Sequence, residues 1–111
     1  MKLSQEQKED IILLHLEGDM MGGPEATQIM EEVQNFLDRQ IMKVVIDLGK
    51  VARMNSSGLG ILINALTTFK QNGGVLKLAN PTPVVNKLLT LSRLTTIFEC
   101  YNSVDEALSS F

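Results

Sequence analysis

The segment Met54-Asn55-Ser56-Ser57-Gly58-Leu59-Gly60 has the strongest chemical character in the chain. It offers two adjacent hydroxyls, a short amide and two residues without side chains. Asn55 or Ser56 suits a helix N-cap, the commonest use of Asn and Ser in such a place. Gly58 and Gly60 leave the first helical turn bare, so another molecule can approach the backbone closely. Free N–H groups and the helix dipole favour an anion there, so a phosphate on Ser56 or Ser57 would meet a receptive backbone. The segment lacks the Lys and spacing of a phosphate-binding P-loop, and it lacks the G-x-S-x-G pattern of a nucleophile elbow.

The other reactive residue types are scattered. His15 is the only histidine. It lies in an apolar run with no evident acid partner, which suggests a structural role. Cys100 reads as a small buried hydrophobe. Asp19 and Asp47 fall near strand ends, where a single carboxylate usually caps or solvates a loop. Met20 and Met21 fall in the loop after the first strong strand, as core or as an adaptable contact surface. No nucleophile, base and orienter occur together, and no paired carboxylates or metal-ligand spacing appear, so the chain is not expected to be an enzyme or to hold a cofactor.

The elements that must position these residues alternate. Ile11–Leu16 reads as a strand buried on both faces, with Leu3–Glu9 as an edge strand beside it. Gly22-Gly23 breaks the chain, and Pro24 opens a helix whose apolar stripe is Ala26, Ile29, Met30, Val33 and Leu37. Glu25 in its first turn suits the dipole. Val44–Leu48 is a central strand, and residues 49–54 connect it to the serine segment. Leu59, Leu62, Ile63, Leu66 and Phe69 form the next helical stripe, which Asn72-Gly73-Gly74 ends. A strand follows at Val75–Ala79. Thr82-Pro83 then starts a helix with Val84, Val85, Leu88, Leu89 and Leu91 on its apolar face. A last strand is expected at Ile97–Tyr101. Ser103 and Glu106 match a capping box ahead of Val104, Ala107, Leu108 and Phe111. The order β(β)αβαβαβα predicts an α/β fold with a mainly parallel sheet of four to five strands and about four helices. The serine segment then sits at the carboxyl edge of the sheet, where such folds place their sites.

Composition narrows the function. With 111 residues the chain reads as one domain. Its formal net charge is −3 without a basic run, which disfavours nucleic-acid binding. One cysteine permits no internal disulfide and suits a reducing cytosol. The N-terminal residues lack the apolar core of a secretion signal, and no apolar stretch reaches membrane-spanning length, so no membrane insertion is expected. Small size and the lack of a long apolar surface strip suggest a monomer or weak dimer.

The residues 54–60 resemble the M-D-S-S-G-L-G signature of the STAS domain, specifically of stand-alone anti-sigma-factor antagonists. Val45-Ile46-Asp47-Leu48 before it, Asn72-Gly73-Gly74 after its helix, and Leu16-Glu17-Gly18-Asp19 are similar to further family segments. The resemblance covers nearly the whole chain; it implies the STAS fold, with residues 1–111 read as a single STAS domain. It implies a cytoplasmic partner switch, in which the unphosphorylated protein binds an anti-sigma factor that is also a serine kinase and so frees the sigma factor. Phosphorylation of the serine after the signature acid, matching Ser56 here with Ser57 as the alternative, would end that binding, and a serine phosphatase would reset it. The expected partner-binding residues are Asp19, Met20, Met21, Gly22, Asn55, Ser56, Ser57, Gly58, Leu59 and Gly60. Two segments depart from the family pattern: Asn55 replaces the signature Asp, and Met20-Met21 replaces a usual Leu-Asp. The alternative is a STAS scaffold or regulatory subunit of a transporter or multi-protein sensor, in which Ser56 only caps a helix. A nucleotide binder of flavodoxin-like topology has little residue support.

Overall fold

The computed structural model describes residues 1–111, with the side chain of Thr95 outside the description. The elements are β1 (Lys2–Lys8), β2 (Ile11–Met20), α1 (Glu25–Asp38), β3 (Lys43–Met54), α2 (Ser56–Gln71), β4 (Val75–Ala79), α3 (Pro83–Leu91), a 3-10 turn (Leu94–Thr96), β5 (Cys100–Tyr101) and α4 (Val104–Ser109). The five strands form one sheet in the order β1-β2-β3-β4-β5. The edge strand β1 pairs antiparallel with β2, and the other pairings are parallel.

Alternation along the strands separates two faces. Ile12, Leu14 and Leu16 join Val44, Ile46, Leu48, Leu76 and Leu78 in a core shared with Ile29, Val33 and Phe36 of α1, Leu62 and Phe69 of α2, and Val85 and Leu89 of α3. Ile11, Leu13, Val45 and Ala79 turn the other way, toward Ala107, Val104 and Leu108 of α4. This two-sided cover explains why Ile11, Ile12, Leu13 and Leu14 are all buried in succession.

Four local expectations need correction. Residues 49–54 are not a connection but the second half of β3, paired through Lys50, Val51, Arg53 and Met54 with Glu17, Gly18, Asp19 and Met20. Two register irregularities give β3 an extra residue each time, so this stretch lacks two-residue alternation. The last strand shrinks to Cys100–Tyr101, because the Leu94 carbonyl accepts the N–H groups of both Ile97 and Phe98 in a tight turn. In α1, Pro24 is the cap residue, and Phe36 is fully buried while Ala26, Met30 and Leu37 are only partly buried. In α3, Val84 and Leu91 face solvent, leaving Val85 and Leu89 to pack.

Candidate functional site

The carboxyl ends of β2 and β3 lie side by side and end together at Met20 and Met54. Asn55 alone separates β3 from α2. Its extended backbone and short amide make it the N-cap, with Oδ1 accepting the Gly58 N–H at 2.9 Å. Its backbone N–H donates to the Met20 carbonyl at 3.3 Å, and its Nδ2 donates to the Met21 carbonyl at 3.1 Å. One residue therefore starts the helix and ties it to the β2–α1 loop.

The two glycines of the segment do different work. A Cβ on Gly58 would lie 1.9 Å from the Met20 carbonyl oxygen, so only glycine lets α2 start against β2. A Cβ on Gly60 would meet nothing within 4 Å. Gly22, at φ +89, lies against Ser57: a Cβ there would be 2.6 Å from the Ser57 Cβ. Ser56, Ser57 and Gly60 are exposed. The chain carries no charged side chain from Met54 to Phe69, and Lys70 is the only one in α2.

Glu25 holds the loop from its other side. Its Oε1 accepts the N–H groups of Met21, Gly22 and Gly23 at 2.8, 2.8 and 3.0 Å. These bonds, from Gly23 first and aided by its own amide, pull the buried carboxyl down to about 2. Asp19 pairs with Arg53 across the strand ends at 2.7 Å, an exposed contact of little energetic weight.

The structure brings all ten expected partner-binding residues to one edge but does not expose them all. Met20 is the last residue of β2 and is wholly buried, and Gly58 and Leu59 are buried under the first turn of α2. These three shape the site from beneath, and their side-chain positions offer nothing to a partner. Met21 (47% exposed), Gly22, Ser56, Ser57 and Gly60 form the accessible surface, with Asp19 and Asn55 half-buried.

His15 has the acid partners that sequence reading missed. Its Nδ1 lies 2.7 Å from Asp47 Oδ2 and its Nε2 lies 2.9 Å from Glu6 Oε1. Burial pulls the imidazole pKa down, but the Asp47 and then Glu6 hydrogen bonds outweigh it and leave the group above its ordinary value. A signal for Glu6 existed: pairing β1 antiparallel with β2 sets Ser4 opposite His15 and Glu6 opposite Leu13, a diagonal neighbour on the same face. Asp47 Oδ1 also accepts the Gly49 N–H at 2.9 Å, so this carboxylate organises the middle of β3. Cys100 is partly buried, and desolvation raises its thiol pKa.

Comparison with known proteins agrees with this architecture. The sequence profile of the STAS domain matches residues 2–107. A candidate anti-sigma factor antagonist of Thermotoga maritima is 30% identical over 73 residues, covering 66% of this chain and 65% of that protein's length. BtrV of Bordetella bronchiseptica, also described as a candidate anti-sigma factor antagonist, is 27% identical over 111 residues, covering 100% and 95%. The crystal structure of a Thermotoga maritima protein of this description has a TM-score of 0.87 at 24% identity, over 97% of this chain and 92% of that one. The phosphorylated form of the Bacillus cell fate determinant SpoIIAA has a TM-score of 0.74 at 18% identity, over 98% of both chains. The mixed five-stranded sheet with four α-helices is thus the STAS fold, and the chain belongs to the STAS domain family.

Proposed function

We propose that residues 1–111 form a single STAS domain that acts as an anti-sigma-factor antagonist, a binding module and kinase substrate rather than a catalyst. In this reading the unphosphorylated protein binds an anti-sigma factor that is also a serine kinase, in the cytoplasm, and frees the sigma factor. Phosphorylation of Ser56 ends the complex, and a serine phosphatase restores it.

The observation that carries the reading is an exposed serine at the head of a helix whose first turns carry no charge. Ser56 lies at the start of α2, in a stretch without a charged side chain from Met54 to Phe69. A phosphate adds about −1.5 to −2 charge at neutral pH. On such a surface it becomes the dominant local charge. Its own fold tolerates it at a helix N-terminus, while a closely apposed partner meets both bulk and unpaired charge. Each 1.4 kcal/mol lost is about tenfold in affinity, so a modest mismatch suffices. Ser57 is the less suitable acceptor, because its Cβ rests against Gly22 of the β2–α1 loop. The relatives' descriptions and the likeness to the phosphorylated SpoIIAA structure support the same reading. Among the described residues no helix is long and apolar enough to cross a membrane.

The test uses wild type and Ser56→Asp as baits in extract from the native cell, read by mass spectrometry. Circular dichroism first checks that the variant is folded. Wild type should capture an anti-sigma kinase that Ser56→Asp loses, and that kinase with ATP should phosphorylate Ser56 in wild type but give no product on Ser56→Ala. Equal capture by both baits overturns the switch and favours the scaffold role.

A further inference from the structure

The β2–α1 loop is held by side chains at both backbone groups of a single residue. The Met21 N–H donates to Glu25 Oε1 at 2.8 Å, and the Met21 carbonyl accepts from Asn55 Nδ2 at 3.1 Å. Met21 as a residue is left 47% exposed. An exposed apolar residue is ordinary by itself. What is unusual is that a charged carboxylate and a capping amide converge to fix its backbone, next to a turn without charge. The orientation of the Asn55 amide follows from its partners: Oδ1 faces a donor, the Gly58 N–H, so Nδ2 faces the Met21 carbonyl.

The geometry points to Asn55 as a positioning residue that clasps the loop and presents Met21 beside the Asn55–Ser57 turn to a protein partner with an uncharged apolar recess. This rests on the partner-binding reading above. The nearest charges at the strand ends, Asp19 and Arg53, are of opposite sign and paired with each other at 2.7 Å, so they add no net charge beside Met21. Methionine suits such a contact, because its flexible thioether adapts to an apolar pocket.

An aspartate separates clasping from capping. Asn55→Asp keeps the acceptor for Gly58 N–H, and as a cap it should be neutral or better, since a carboxylate suits the helix N-terminus. It has no donor for the Met21 carbonyl and sets a carboxylate oxygen against it. Asn55→Ser caps as well but is too short to reach Met21, and it serves if the aspartate variant folds poorly. Amide exchange at Met21, Gly22 and Gly23, read by NMR, should rise about fivefold to tenfold in either variant, the worth of one neutral hydrogen bond. The Glu25 carboxyl should titrate above its wild-type position, toward its ordinary value, because the three N–H groups that hold it are fixed less firmly. Protection of the Gly58 amide should remain. Unchanged loop exchange together with a Glu25 titration unchanged from wild type overturns the clasp.

The second arm measures affinity for the anti-sigma kinase. Met21→Ala should weaken binding about tenfold, the scale of burying one such side chain. Asn55→Asp should weaken it similarly, and the double variant should lose little more. Fully additive losses overturn the positioning role. If wild type binds no anti-sigma kinase, the partner reading falls and the presentation role with it, while the loop measurements still decide the clasp.

Discussion

Gly58→Ala and Gly60→Ala make the same chemical change two residues apart in α2, and they should move stability in opposite directions. In an unencumbered helix interior, Gly to Ala gains roughly 0.5–1 kcal/mol, because the glycine backbone loses more entropy on folding. Gly60 meets that condition, since an added Cβ finds nothing within 4 Å. At Gly58 the added Cβ lies 1.9 Å from the Met20 carbonyl oxygen and 2.6 Å from its carbonyl carbon, far inside the 3.4 Å of ordinary contact. The obstacle is backbone of a strand paired along its length with β3, so no rotamer change relieves it. Overpacking of this kind costs about 1–3 kcal/mol, and displacement of the Met20 carbonyl also strains the Asn55 N–H bond to it. The net expectation is a loss of about 1–2 kcal/mol for Gly58→Ala and a gain of up to about 1 kcal/mol for Gly60→Ala. Calorimetry should show this as a fall of several degrees in Tm for the first and a rise of a few for the second, at roughly 4 °C per kcal/mol. Urea unfolding should give the same signs with unchanged m-values. Shifts of the same sign in both variants would refute the packing argument. The proposed function adds a second reading of the pair: Gly60→Ala, though more stable, should bind the anti-sigma kinase less well.

Two further expectations concern pH. Glu25 has a depressed pKa in the folded protein, so its contribution is complete above the ordinary 4.5 and is lost as pH falls through about 2. The stability difference between wild type and Glu25→Gln should therefore be largest near neutrality and shrink steadily in acid urea titrations, and a constant difference would count against the carboxylate clamp. His15 has a raised pKa, so its contribution is complete below the ordinary 6.5 and is lost as pH rises through the elevated folded value. Unfolding between about pH 6 and pH 9 should show a decline in wild type that His15→Gln lacks, with the NMR titration of the ring marking the same window.

The sequence makes the element order legible because β-branched runs, helical stripes and caps coincide at most boundaries. Asn55, Thr82 and Ser103 all cap the helices they precede, accepting from Gly58, Val85 and Glu106. The second half of β3 is hidden for a physical reason. Leu48, Val51 and Met54 are its buried residues, spaced by three, because two irregularities each insert a residue. That spacing mimics a loop or a helix rather than a strand. The same irregularity carries β2 past Gly18, at φ +126, to bury Met20 where a loop residue is expected. The partners of His15 lie 9 and 32 residues away in sequence, visible only once strand register is known. Glu25 gives no sign of its role because all three of its loop donors are backbone N–H groups, which residue types do not reveal.

The site can be divided by asking which of its residues the fold itself requires. Asn55 and Gly58 are required: one caps α2 and holds the loop, and the other admits the Met20 carbonyl. Met20 and Leu59 are required as buried packing. Ser56 and Gly60 are not, since both are exposed and Gly60 has open space where a side chain would go. An exposed glycine inside a helix costs stability relative to alanine, and a 16-residue helix whose one charged residue is Lys70 gives up the ion pairs that usually make helix surfaces soluble. Stability explains neither choice. Under the proposed function both follow, because a second molecule packed closely on the first turn of α2 needs short side chains and unburdened backbone there and tolerates no unpaired charge. The same surface gives one phosphate on Ser56 its leverage: it would be the only full negative charge on α2, which has no acidic residue.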